Sequence, residues 1–264
     1  MDELVGAARH VPSLFSLDRK VAVLTGATGG IGEGIALALA AAGADLALID
    51  LSEEKLQSVV DTVETEFGRR AAGLATDITD ESAVAKMVEE VARKHGHIDI
   101  LVNCAGVGPA VPALEMPLEQ WRTVIRVNLE GTLICCREVG RVMVAQESGK
   151  IINFSSVRGL QGRPGHSAYA PSKAGVNLLT KTLACEWAPH GINVNAIAPV
   201  FTRTAINAAV VDDPEMRAAI LARIPMGRLG QVRDLFGAVI FLASAASDFV
   251  TGTVFYVDGG WTAA

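Results

Sequence analysis

A doubly wound α/β domain is the fold class this sequence predicts, and three observations carry the prediction. Apolar runs of strand length alternate with stretches of helical periodicity along most of the 264 residues. Those runs are apolar at nearly every position, a pattern that requires helices over both faces of a parallel sheet. A glycine-rich turn, TGATGGIG at residues 25–32, stands between the first run and the first helical stretch.

The first strand is KVAVLT, followed by a helix over Ile31–Ala42 that begins as soon as the glycines end. DLALID is the second strand, and the stretch Glu53–Phe67 after it has apolar residues at helical spacing among charges. AAGLAT, a helix over 81–95 and IDILVN continue the alternation. A long helix lies within 118–146, KIINFS follows, and a helix over 169–187 leads to INVNAIA. A helix over 232–244 and TVFYVD close the chain. Residues 17–264 read as one domain behind an extension of residues 1–16, an arm or subunit-contact segment. Residues 199–230 break the rhythm with three prolines, and an excursion of that length at the carboxyl edge of a sheet reads as a substrate loop or lid.

A formal net charge of −6 offers no positive field for polyanions, so nucleic acid is not an expected partner. The acidic start lacks a secretory pattern and no apolar run is long enough to cross a bilayer, which points to the cytoplasm and to no membrane partner. Cys104, Cys135, Cys136 and Cys185 lack metal-ligand spacing and read as buried reduced thiols, with no metal expected.

In TGATGGIG, Gly26, Gly30 and Gly32 let the backbone approach a pyrophosphate while the helix N-terminus presents unpaired N–H groups. Strand, turn and helix in that order make the signal stronger than a lone glycine run. Asp50 closes the second strand, where a carboxylate can accept hydrogen bonds from adenosine ribose hydroxyls. A 2′-phosphate would meet a like charge there, and Gly29 and Leu51 supply no cation, so NAD is the expected cofactor rather than NADP.

SAYAPSK at 167–173 places Tyr169 one helical turn before Lys173, on the same face. A free tyrosine, with a pKa of roughly 10, is a poor base at neutral pH. Lys173 and the positive ring of an oxidised nicotinamide are expected to stabilise the phenolate, which then takes the proton of an alcohol as hydride leaves its carbon. Ser155 and Ser156 end a strand and point to opposite faces, so one of them can present its hydroxyl to the substrate oxygen.

TGxxxGxG, NCAG at 103–106, the asparagine of VNLEG, the serine pair before YxxxK and the late VDGGW together resemble the short-chain dehydrogenases/reductases over about residues 17–261. That resemblance implies a Rossmann-like, seven-stranded parallel sheet, a nicotinamide cofactor, no metal and a homotetramer. It selects Ser156, thirteen residues before Tyr169, as the catalytic hydroxyl. It implies that Asn128 holds a water relaying protons to Lys173, and that Lys173 also holds the nicotinamide ribose. The remaining cofactor contacts it implies are Thr28 and Ile31 beside the phosphates, Leu51 after Asp50, and Asp77 with Ile78 at the adenine. Asn103, Ala105 and Gly106 are implied at the groove wall, with Pro199, Thr202 and Thr204 at the carboxamide and phosphates. Val200 departs from the glycine usual after Pro199, and Cys104 from the second asparagine of NNAG.

The sequence is similar to sugar- and gluconate-type members in its overall pattern, so a small polar secondary alcohol, a sugar, sugar acid or polyol, is the expected substrate. Arg158, two residues after Ser156, and Arg163 in the same loop suit a carboxylate, sulfonate or phosphate, unless both are solvated or at a subunit contact. His166 is a further candidate for the pocket wall. Two other functions fit parts of the pattern. Reduction of a 3-oxoacyl thioester is the task of a close relative, against which Gly29 and Asp50 speak, and a non-catalytic scaffold would have lost Tyr169, Lys173 or Ser156.

Overall fold

The computed structural model describes residues 8, 10–203 and 213–263. Seven strands, β1 (Val21–Thr25), β2 (Asp45–Asp50), β3 (Ala71–Ala75), β4 (Ile100–Asn103), β5 (Gly149–Phe154), β6 (Ile192–Pro199) and β7 (Val254–Val257), form one sheet in the order 3-2-1-4-5-6-7. Every neighbouring pair is parallel. The helices are α1 (Gly30–Ala41), α2 (Glu53–Phe67), α3 (Glu81–His95), α4 (Leu118–Ile125), α5 (Gly131–Gln146), α6 (Tyr169–Trp187), α7 (Pro214–Leu221) and α8 (Phe236–Ala243).

Both faces of the sheet are covered, and the pleat assigns alternate residues to each. Ala22 and Leu24 of β1 pack with Ile35 and Leu39 of α1, Val59 and Val63 of α2 and Val239 of α8. Val21 and Val23 point the other way, into a core built with Val84 and Val88 of α3, Val139 and Met143 of α5 and Leu183 of α6. Burial on both sides explains why the strands are apolar throughout.

The strand order reverses direction between β1 and β4, so the crossovers diverge there and leave a crevice beyond the carboxyl ends of the strands. The residues that follow β1, β2, β4, β5 and β6 meet in that crevice.

Three expectations are corrected. The helix expected within 118–146 is interrupted by a π-helical turn over Arg126–Glu130, because Asn128 turns inward to bind the loop after β4. The last helix begins at Phe236, after a 3₁₀ turn over Val232–Leu235 capped by Gln231 and Asp234. Of the four cysteines, Cys135 and Cys136 are buried and Cys104 is half-buried, but Cys185 is exposed, since it sits on the solvent side of α6. Among the described residues no helix is long and apolar enough to cross a membrane.

Candidate active site

A cleft of about 650 Å³ follows the carboxyl edge of the sheet. At one end lie Gly26, Thr28, Gly30, Ile31 and Gly32, and the first-turn N–H groups of α1 have no partner within the helix. The close turn depends on glycine: Gly26 has φ +71°, and a Cβ on Gly32 would lie 2.0 Å from the Gly26 carbonyl oxygen. The Asp50 carboxylate is held in place from behind. Its Oδ2 accepts from the Thr28 N–H at 3.0 Å and hydroxyl at 2.7 Å, and its Oδ1 accepts from Leu51 N–H at 2.8 Å. Leu51, Asp77, Ile78 and Lys55 complete this end. Open helix amides, an aligned carboxylate and a cleft of this size fit a nicotinamide dinucleotide.

Farther along, β5 delivers Ser155 and Ser156, and the pleat separates them as expected. Ser155 donates to the Lys173 carbonyl oxygen of α6 at 3.2 Å, whereas Ser156 caps the turn at Arg158 and faces Tyr169. Tyr169 and Lys173 project from the first turns of α6, with the Lys173 Nζ 5.8 Å from the Tyr169 ring centre and donating to the Phe154 carbonyl at 2.7 Å. Asn128 is fully buried: its Oδ1 accepts from Val107 N–H at 2.8 Å, and its Nδ2 donates to Val107 O at 2.8 Å and Ser172 Oγ at 3.0 Å. Ala105, Gly106, Pro199 and Thr202 line the same cleft.

The electrostatics differ from the sequence expectation. Burial raises the Tyr169 phenol above its ordinary pKa; the hydrogen bond with Ser156 opposes that, the thiol of Cys104 adds to it, and the Arg158 charge opposes it. Burial likewise pushes the Lys173 ammonium down to about 8. The two groups are buried together, and burial works against the charged form of each.

A second correction concerns Asn103. Its side chain donates to Asn153 Oδ1 at 2.9 Å and to Cys136 Sγ at 3.2 Å inside the sheet, so only its backbone is available to a cofactor groove. Thr204 lies outside the described residues. Val200 is buried and packs against Trp261, Val157 and Ile224.

At the far end Arg158 is buried, contrary to a solvated role, and Arg163, His166 and Phe201 share its wall of the cleft. Trp261, brought in from the chain terminus, lies 5.2 Å from Arg158 and donates through Nε1 to Gln161 at 2.8 Å. The sequence reading missed Lys55, Gly108, Phe201 and Trp261. Gly108 had a readable signal in the glycines after β4: a Cβ there would sit 2.7 Å from the Tyr169 ring, so the ring's position requires glycine. Nothing periodic links 158, 201 and 261. Among the described residues no group of His, Cys, Asp and Glu could hold a metal ion.

A family model described as enoyl-(acyl carrier protein) reductase matches residues 26–262. The chain is 44% identical over 247 residues to a 2-dehydro-3-deoxy-D-gluconate 5-dehydrogenase of Pseudoalteromonas atlantica, covering 94% of this chain and 97% of that one. It is 40% identical over 244 residues to a 3-oxoacyl-[acyl-carrier-protein] reductase of Thermotoga maritima, covering 92% and 98%. The crystal structure of a gluconate 5-dehydrogenase from Burkholderia cenocepacia, in complex with NADP and tartrate, superposes with a TM-score of 0.93 at 40% identity, covering 97% of this chain and 100% of that one.

Proposed function

The chain belongs to the short-chain dehydrogenase/reductase family, and from that premise we propose that it is an NAD-dependent dehydrogenase of a secondary alcohol on a small polar substrate, a sugar acid above all. The observation that carries the reading is the convergence of Ser156, Tyr169 and Lys173 in the same cleft as the glycine turn and Asp50. The relatives named for gluconate and 2-dehydro-3-deoxygluconate, one of them holding tartrate, support a sugar acid over a sugar or polyol.

A bound nicotinamide dinucleotide supplies a two-electron acceptor for the hydride of the carbinol C–H bond. Tyr169 takes the hydroxyl proton as that bond breaks, so the O–H electron pair becomes the new C=O bond and a ketone results. Ser156 donates a hydrogen bond to the same oxygen while its charge changes. Burial raises the Tyr169 phenol, and the positive charge of an oxidised nicotinamide would favour its phenolate. Lys173 would hold the nicotinamide ribose and pass the proton outward, as the family resemblance implies. Asn128 has both amide donors committed and one side-chain lone pair taken by Val107 N–H, so its side chain has a single lone pair left for a water feeding Lys173.

Gly26, Thr28, Gly30, Ile31 and Gly32 would carry the phosphates, and Asp50 with Leu51, Asp77 and Ile78 the adenosine. A carboxylate at position 50 favours NAD. Lys55 is the one basic residue lining that end among the described residues, and NADP-bound relatives exist, so both cofactors belong in the test. By resemblance the enzyme works as a homotetramer. The second reading, a 3-oxoacyl-thioester reductase, is favoured by the Thermotoga maritima relative.

Absorbance of the reduced nicotinamide, with NAD and NADP, across sugar acids, polyols and 3-oxoacyl thioesters tests both. NAD-linked oxidation of a sugar acid is expected, falling about 10³-fold in Tyr169→Phe with NAD binding retained. Undiminished turnover by Tyr169→Phe overturns the mechanism, and use of NADP alone overturns the role of Asp50.

A further inference from the structure

Phe201 at the far end of the cleft, and Trp261 packed against it with ring centres 5.9 Å apart, carry three guanidinium groups. The Arg158 carbon lies 5.7 Å from the Phe201 ring centre and 5.2 Å from that of Trp261; Arg163 lies 5.0 Å over Phe201 and Arg223 4.2 Å over Trp261. Arg158 is only 5% exposed, and among the described residues its guanidinium makes one hydrogen bond, a 3.5 Å contact to the Gly162 carbonyl, at the outer limit for such a bond. No carboxylate pairs with any of the three among the described residues. In a chain of net charge −6 this is a concentrated positive site, while the carboxylates lining the cleft, Asp50 and Asp77, stand at its opposite end.

Burying a charge without an anion is unfavourable, and aromatic faces offset only part of the lost hydration. Burial, followed by Arg163 and Arg223, lowers the proton affinity of Arg158, the direction expected where cations crowd without a counter-charge. A guanidinium has five donors in a planar fork, so most of those on Arg158 are unspent. Its backbone N–H donates to Ser156 Oγ at 3.1 Å, which fixes the fork's base beside the reacting hydroxyl.

We propose that Arg158 receives the carboxylate of the substrate through this fork, with Arg163 beside it in the cleft and Arg223 adding charge from across Trp261, and so selects acids over neutral polyols. This rests on the sugar-acid dehydrogenase reading and names the residue that makes the selection. Phe201 and Trp261 are positioning residues that hold the fork.

D-Gluconate and D-sorbitol, which differ at C1 in having a carboxylate or a hydroxymethyl group, titrated calorimetrically into the NADH-saturated full chain test it. Wild type is expected to bind gluconate at least about tenfold more tightly than sorbitol, with the difference shrinking as salt rises. Arg158→Met is expected to bring gluconate to the sorbitol level, and Arg158→Lys to lie between them, since a lysine keeps the charge and loses the fork. The Arg163→Gln/Arg223→Gln double variant, altered only outside the buried contact, should weaken gluconate severalfold and leave sorbitol unchanged. No preference for gluconate in wild type, or unaltered gluconate affinity in Arg158→Met and Arg158→Lys, overturns the proposal. Loss of gluconate binding in Arg158→Met, alongside no NADH from any sugar acid in wild type, upholds the anion site and sinks the dehydrogenase reading instead.

Discussion

Lys173 is held in the fold at a cost. Its ammonium falls from 10.5 to about 8 through burial, so the folded chain binds that proton less tightly than the unfolded chain does. Below about pH 8 both states are protonated and the folded state carries the whole penalty, on the order of 3 kcal/mol for a shift of that size. As pH rises from 8 toward 10.5 the folded state sheds the proton first and stability increases. Lys173→Met removes the charge and keeps an apolar chain of similar length. It is expected to melt above wild type at pH 7, with the gap narrowing by pH 9.5, before the raised Tyr169 begins to act in the opposite direction. Thermal denaturation without cofactor measures this, and a variant less stable than wild type at pH 7 would show that the Phe154 hydrogen bond outweighs desolvation. The pairing of Tyr169 with Lys173 was readable from spacing alone, because i and i+4 share a helix face. The acidity of the pair was not, because it depends first on burial and then on Ser156, Cys104 and Arg158, which follow β4 and β5.

Helix ends were the most legible elements. The expected spans 53–67, 81–95 and 169–187 coincide with α2, α3 and α6, and two of the three carry local punctuation. Ser52 and Asp80 accept from first-turn N–H groups, and Gly68 and Gly96 close α2 and α3 in the left-handed conformation. Gly96 has φ +81° and open space where a Cβ would stand, so Gly96→Ala strains only the backbone. A loss of about 1 kcal/mol in urea denaturation is expected, with kcat and KM unchanged. A neutral substitution would mean that α3 ends elsewhere in solution. The break between α4 and α5 had no such signal, since nothing local marks Asn128; its inward turn answers the backbone groups of Val107 after β4.

Across the whole molecule, stability should decrease from the middle of the sheet outward. β1, β4 and β5 have fully buried apolar side chains and a strand on each side, whereas β3 is an edge with partly exposed residues and Val11–Phe15 is an exposed turn. Native-state amide exchange is expected to be slowest in β1, β4 and β5 and fastest in Val11–Phe15, with β3 between. Equal protection of β3 and β4 would contradict this gradient. The sequence alone determined the layered fold, the phosphate-facing turn and the spacing of Ser156, Tyr169 and Lys173, because strand burial, glycine conformations and helical period act over a few neighbouring residues. Only the tertiary structure decided that Asn103 turns into the sheet, that Asn128 clamps Val107, and that Arg158, Phe201 and Trp261 form one wall. Those contacts join residues far apart in the chain, and their energies come from which groups share a dry space, a quantity no local pattern encodes.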